Sequence, residues 1–327
     1  MIISKTPLRI SFFGGGTDLP DFFKSGRGAV LGSAIDKYIY VAINRFYGRL
    51  FDYRLRLAYR LTECVNHASQ LQHRPASVIL SEVGLEQDVE ITLNADLPAF
   101  SGLGSSSSFT VGLYNAALSF KGLNISPGEL TRLSIHTERT LLHESVGCQD
   151  QTFASYGGLR VIEFFPHREP VVSTLSISQA IFDELNESVL LFFTGIKRRA
   201  QDLESKKISN IEVLRPTFNR MLADVDSAVD LLQSKGDVEA FGRLLRQSWE
   251  LKRSLDPDVS SPTIDFMYQE GIRAGAFGGK LLGAGGGGFM MFICPLVSHS
   301  KLRLALADFI EIPVRLGAEG SKIIHDG

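Results

Sequence analysis

The chain has 327 residues, 44% hydrophobic and 21% charged, the balance of an ordinary globular protein long enough for two domains. Its formal net charge of −2 leaves no electrostatic case for a nucleic-acid or membrane partner. Three scattered cysteines, Cys64, Cys148 and Cys294, exclude a disulfide framework and a cysteine zinc site, and point to a reduced, cytoplasmic setting.

Residues 1–7 lack the apolar core of a signal peptide. Segments 8–13, 29–35 and 38–44 read as strands, the last dense in β-branched and aromatic residues. Segment 89–93 alternates apolar and polar side chains, as a half-buried strand does. Apolar residues then recur at helical spacing over about 105–121. A second helix, about 127–146, starts with Ser126 as cap, Pro127 in the first position and Glu129 as its box partner. Residues 156–165 read as a hairpin strand, and a boundary is expected near 170–185, dividing the chain into 1–180 and 181–327. Beyond it come a strand at 188–193, two amphipathic helices over 211–254 broken near Gly236, and a helix at about 262–275. The apolar run 289–294 is strand-sized and too short to cross a bilayer. Strands followed by helices in both parts argue for an α+β fold.

Three glycine clusters punctuate this pattern. Gly14-Gly15-Gly16-Thr17-Asp18 follows a strand and ends in groups able to bond hydroxyls. Gly102-Leu103-Gly104-Ser105-Ser106-Ser107-Ser108 runs directly into a helix. Such a loop presents unpaired N–H groups and the positive end of the helix dipole, which suits phosphate. Its serine hydroxyls can hold magnesium beside the phosphates. The third cluster holds a G-x-G-x-x-G at Gly283, Gly285 and Gly288. There a helix precedes and a strand follows, which is not the dinucleotide context, and Lys280 lacks the Ser or Thr that follows a P-loop lysine.

Glu138 on the second helix and Asp150 in the loop after it could together serve a metal and a hydroxyl, the pair that phosphoryl transfer needs. The seven histidines show no metal spacing; His136 and His143 sit two turns apart. Trp249 and the pairs Phe12-Phe13, Phe22-Phe23 and Phe192-Phe193 read as core.

These segments resemble the GHMP kinase superfamily, the group of galactokinase, homoserine kinase, mevalonate kinase and phosphomevalonate kinase. Its three motifs stand in order at 7–18, 97–107 and 280–289. Within it, the chain is similar to the D-glycero-D-manno-heptose 7-phosphate kinases. That likeness rests on Gly14 to Asp18, Ala34-Ile35-Asp36-Lys37-Tyr38, Gly147-Cys148-Gln149-Asp150-Gln151, Thr194-Gly195-Ile196 and Trp249-Glu250-Leu251-Lys252.

The resemblance implies a two-domain fold, ribosomal-protein-S5-domain-2-like then ferredoxin-like, with the active site in the cleft between. It implies an ATP- and magnesium-dependent kinase acting on the anomeric hydroxyl of heptose 7-phosphate, toward GDP-heptose for bacterial surface glycans. Alternatives are another sugar-1-kinase of the group, for a fucose- or galactose-like sugar, and a sugar-sensing homologue without turnover. Gly102, Leu103, Gly104, Ser105, Ser106 and Ser107 would wrap the ATP phosphates, with magnesium on Ser106 and Glu138. Asp150 matches the catalytic aspartate, as base or as orienting group, with Arg9 beside it. Gly14, Gly15, Gly16, Thr17, Asp18 and Asp150 would receive the sugar, with Gly285 and Gly286 on the sugar and phosphate side.

Gly15-Gly16 stand where galactokinases carry Glu-His, which argues against galactose. Lys197 replaces an expected serine in Thr194-Gly195-Ile196-Lys197-Arg198. A phosphorylated sugar needs a second anion site, for which Lys197, Arg198, Arg199 and Lys252 are candidates. The partners expected are a small sugar phosphate and, as one option, a second copy of the chain in a homodimer.

Overall fold

β1 (Ile2–Phe13) and β2 (Gly28–Arg45) pair antiparallel and form the spine of an eight-stranded sheet. The computed structural model describes residues 1–99, 102–196 and 200–327, with backbone only at 200–202. Lys197, Arg198 and Arg199 lie outside the described residues.

Two strands were expected across 29–44, and β2 is one. Pro7 faces Tyr38 while Leu8 faces Ile35, so Asp36 and Lys37 form a bulge rather than a turn. The bulge is held from outside: Asp36 and Arg315 exchange backbone and side-chain hydrogen bonds. β2 is long because its halves serve different neighbours. Residues Ile39–Arg45 pair β5 (Val89–Ala95), and Gly28–Ser33 pair β6 (Leu159–Phe164). β6 forms the expected hairpin with β7 (Val171–Thr174). β3 (Leu55–Ala58) and β4 (Thr62–Val65) complete one end of the sheet.

The helix Ser105–Phe120 lies against β1 and β2 and is buried from Ser107 to Ala117. It is enclosed because the helices Pro127–His136 and Gln149–Tyr156 pack on its other side. Ser126 caps the first of these with Glu129 closing the box. That helix is shorter than the expected 127–146. It passes into a π-turn, Thr137–Leu141, and the chain then leaves through His143 at φ 56. Asp150, expected in a loop, stands in the first turn of Gln149–Tyr156.

The later part of the chain builds a four-stranded sheet in the order β11 (Ile310–Glu311), β8 (Val189–Phe193), β10 (Phe289–Ile293), β9 (Gly278–Leu281). β9 escapes sequence patterning because it opens with two glycines. Gly278 is required there: a Cβ would overlap the Gly242 carbonyl of the helix Val238–Arg253. The third glycine cluster therefore connects two strands of a hairpin. A strand does precede it, contrary to expectation, but no helix follows, so the dinucleotide reading fails on that ground.

The helix Ile211–Asp230 leaves this part and lies on the first sheet. Its Val225 packs at Gly14 and its Phe218 at Gly16, where a Cβ would stand 2.7 and 2.5 Å from them. Phe241 of the following helix meets Phe12 and Phe13 edge-on, with centroids 5.4 and 5.1 Å apart. One apolar core thus runs from β1 and β2 through both helices to β8 and β10. β12 (Lys322–Asp326) returns to pair β1. Trp249 and the phenylalanines Phe12, Phe13, Phe22 and Phe192 are buried, as expected. Among the described residues no helix is long and apolar enough to cross a membrane.

Candidate active site

β1 delivers Arg9 and Ser11 to a cleft, then turns at Gly14 with φ 81, a conformation open to glycine. Thr17 holds that turn from within: its hydroxyl donates to Ala29 O at 2.7 Å and accepts from Ala29 N–H at 3.1 Å. Gly14 and Thr17 therefore shape the turn, while Gly15, Gly16 and Asp18 line the cleft. The buried Asp18 carboxylate accepts N–H bonds from Gly16 (2.9 Å) and Gln149 (3.2 Å). Burial, and next the Asp150 charge, push its pKa up to about 6.

Across the cleft, Gly102 and Gly104 take φ values of 78 and 76 to bring the serine loop round. Leu103 is buried and its carbonyl accepts the Arg9 N–H at 3.0 Å, so it anchors the loop. Ser105, Ser106 and Ser107 line the cleft at the start of a 16-residue helix, where the first N–H groups have no partner within the helix. That geometry suits an anion such as phosphate.

Arg9 and Asp150 form the centre. Arg9 Nε and Nη2 donate to Asp150 Oδ1 and Oδ2, each at 2.8 Å, and Nη1 donates to Gly102 O at 2.7 Å. Arg9 is buried, whereas 26% of the Asp150 side chain faces the cleft. A planar guanidinium fixes both carboxylate oxygens in one orientation. Asp150 also stands by the loop: a Cβ on Gly104 would lie 3.3 Å from Oδ2.

Glu138 comes from the π-turn and is 1% exposed. Its Oε2 accepts from Ser107 Oγ (2.9 Å) and Gln151 Nε2 (2.5 Å), while Oε1 has no partner among the described residues. Burial pushes its pKa up to about 8. The hydroxyl bonded to Glu138 is thus that of Ser107, and Ser106 stands exposed on the cleft. The orphaned oxygen and the serine hydroxyls are hard donors of the kind magnesium takes. Among the described residues no group of three His, Cys, Asp or Glu could hold a metal, so the protein offers part of a shell that phosphate oxygens and water would complete.

Gly285 lines the cleft, but Gly286 turns away and donates its N–H to Val259 O at 2.9 Å. Lys252, one of the anion-site candidates, is present and buried. Sequence reasoning missed four lining residues. Sequence shows Ser11 only as part of a motif; among the described residues its buried hydroxyl has no partner, nor has Gln149 Oε1. Sequence reads Lys280 only as a failed P-loop lysine and gives no sign of Lys207. Neighbours on a helix point opposite ways, so Lys206 is exposed while Lys207 is buried.

The family model of the GHMP kinase N-terminal domain matches residues 71–158, and that of the GHMP kinase C-terminal domain matches 228–311. The D-glycero-alpha-D-manno-heptose 7-phosphate kinase of Campylobacter jejuni is 29% identical over 315 residues, covering 93% of each chain. The crystal structure of a D-glycero-D-manno-heptose 1-phosphate kinase from Bacteroides thetaiotaomicron superposes with a TM-score of 0.80 at 27% identity, covering 100% of both chains. The L-fucokinase/L-fucose-1-P guanylyltransferase of Bacteroides fragilis is 25% identical, over 90% of this chain and 34% of that protein.

Proposed function

Because the chain belongs to the GHMP kinase family and is a sugar kinase within it, we propose that its acceptor is the anomeric hydroxyl of D-glycero-D-manno-heptose 7-phosphate. The product is the α-1,7-bisphosphate, a precursor for GDP-heptose and bacterial surface glycans, made in the cytoplasm. The observation that carries this reading is the Arg9–Asp150 pair, set between a phosphate-binding loop and a turn rich in hydroxyl-binding groups.

In this reading the N–H groups of Ser105 to Ser107 hold the ATP phosphates. Ser106 and Glu138 hold magnesium, which when bound supplies charge neutralisation at the phosphates. Asp18 receives sugar hydroxyls beside Gly15 and Gly16. Asp150 takes the acceptor hydroxyl as its hydrogen-bond donor, orients the oxygen toward the γ-phosphate and accepts its proton during or after transfer. Arg9 keeps the aspartate from rotating away and supplies positive charge beside it.

Two relatives support a phosphoheptose over a bare sugar, although their names differ on which phosphate is already present. Fucose- or galactose-like sugars are the second reading, favoured by likenesses to fucokinases and to a galactokinase. An ADP-release assay decides, with heptose 7-phosphate, heptose 1-phosphate, fucose and galactose offered in parallel. Heptose 7-phosphate is expected to give the highest kcat/KM; a higher value for any of the other three refutes the assignment.

A further inference from the structure

Three lysines enter the cleft from separate elements. Lys207 comes from the helix Ala200–Ser209, Lys252 from Val238–Arg253 and Lys280 from β9. They are 4%, 6% and 4% exposed, although lysine is seldom buried without a counter-charge. Their nitrogens are fixed mainly by carbonyls. Lys280 Nζ donates to Phe12 O (2.8 Å), and Lys252 Nζ to Leu281 O (2.7 Å) and Gly283 O (2.5 Å). Lys207 Nζ donates to Ala284 O and to Glu204 Oε1, both at 2.9 Å.

Each ammonium has three donors, so at least one remains on each lysine beyond these bonds. Arg9 is occupied by Asp150, and Glu204 is the one carboxylate within ion-pair distance of the three lysines among the described residues. Lys252 and Lys280 are left as buried amino groups bonded to neutral carbonyls. Burial, then the charges of Arg9 and Lys207, push Lys280 down to about 7, and burial, then Lys280 and Lys207, push Lys252 well below the usual lysine range. Such a cluster is costly as it stands and becomes favourable when a multiply charged anion enters.

We propose that Lys207, Lys252 and Lys280 form a second phosphate site, which takes the phosphate monoester already present on the acceptor. The inference rests on the phosphosugar reading above and adds the residues that recognise the phosphate. It also gives the third glycine motif a role: its hairpin turns carbonyls inward and holds the lysines, rather than binding phosphate with its own N–H groups. The serine loop meets donor phosphates with backbone N–H groups, so the two phosphates have chemically separate seats.

Lys252→Met and Lys280→Met test this, each with two readouts. The first is the KM for heptose 7-phosphate relative to that for unphosphorylated heptose, with the KM for ATP alongside. We expect that ratio to rise about tenfold or more, the loss of a charge-assisted contact. A matching rise in the KM for ATP assigns the ammoniums to the donor's phosphates and overturns the proposal, as does an unchanged ratio. The second readout is thermal stabilisation by inorganic phosphate with the donor site saturated by ADP. Wild type should be stabilised and the variants not; equal stabilisation also overturns the proposal. If wild type turns over no phosphosugar yet loses phosphate stabilisation on substitution, the site stands and the heptose reading fails. Ligand-free melting curves of each variant recognise misfolding separately, since the substitution removes a buried amino group but also leaves its carbonyl partners unbonded.

Discussion

Gly102 and Gly283 meet backbone to backbone: a Cβ on Gly283 would stand 2.6 Å from the Gly102 Cα. The serine loop and the hairpin whose carbonyls hold Lys207 and Lys252 are therefore in direct contact. Gly283→Ala must push them apart, and at φ 69 it also strains its own backbone. It should lower kcat/KM for ATP and for the acceptor together, by about tenfold or more. Steady-state kinetics with each substrate varied checks this; an effect on one substrate alone would separate the two loops.

Asp150→Asn keeps the shape but removes the charge that Arg9 grips. Turnover should fall by about 10²–10⁴-fold, the range of a positioned proton acceptor. Nucleotide binding, followed by fluorescence or calorimetry, should persist because the serine loop is untouched. Near-normal turnover would take Asp150 out of the central role.

Glu138 carries a pH signature. Its pKa is raised from 4.5 to about 8, so the folded state holds a proton that the unfolded state releases. The stability drawn from that proton is full below about pH 4.5 and is lost as pH rises through about 8. Glu138→Gln should therefore raise the ligand-free melting temperature most at pH 8 and above, and abolish magnesium-dependent turnover. Melting curves from pH 5 to 9 test the first part. A variant that melts lower than wild type at pH 9 contradicts it.

Ser11 offers a cleaner probe of the acceptor side, because its buried hydroxyl has no partner to lose. Ser11→Ala should leave stability level or slightly higher, since an unpaired buried polar group is removed. The KM for the acceptor should rise severalfold while that for ATP stays put. A selective rise in the ATP value would move Ser11 to the donor side.

What could be read before any coordinates were the features set by local chemistry. The serine loop shows its glycines and its helix, and Ser126 with Glu129 announces a cap. Glu138 and Asp150 stand out as an acidic pair from their spacing, whereas Arg9 emerges only with the family resemblance, because it lies 141 positions from the Asp150 it grips. The lysine cluster stayed hidden for a different reason. Lys207 sits on a helix whose composition suggests a solvated face, and its burial comes from a hairpin more than seventy residues later, with 77 positions between Lys207 and Ala284. β9 was missed because its glycines serve tight packing against a helix rather than strand propensity.

The helix Ile211–Asp230 has a further consequence. Phe218 and Val225 fill the space into which side chains at Gly16 and Gly14 would project. The turn after β1 and the seam that joins the two sheets are thus the same packing problem. Burying a phenylalanine contributes on the order of 1.5–3 kcal/mol, so the helix cannot retreat from that turn without a loss felt throughout the molecule. A side chain at Gly16 would need Phe218 to change with it, while one at Gly14 is also barred by the Ala29 carbonyl, 2.0 Å from where its Cβ would stand. Substitutions at Gly16 and Phe218 should therefore be non-additive, as expected of residues in contact.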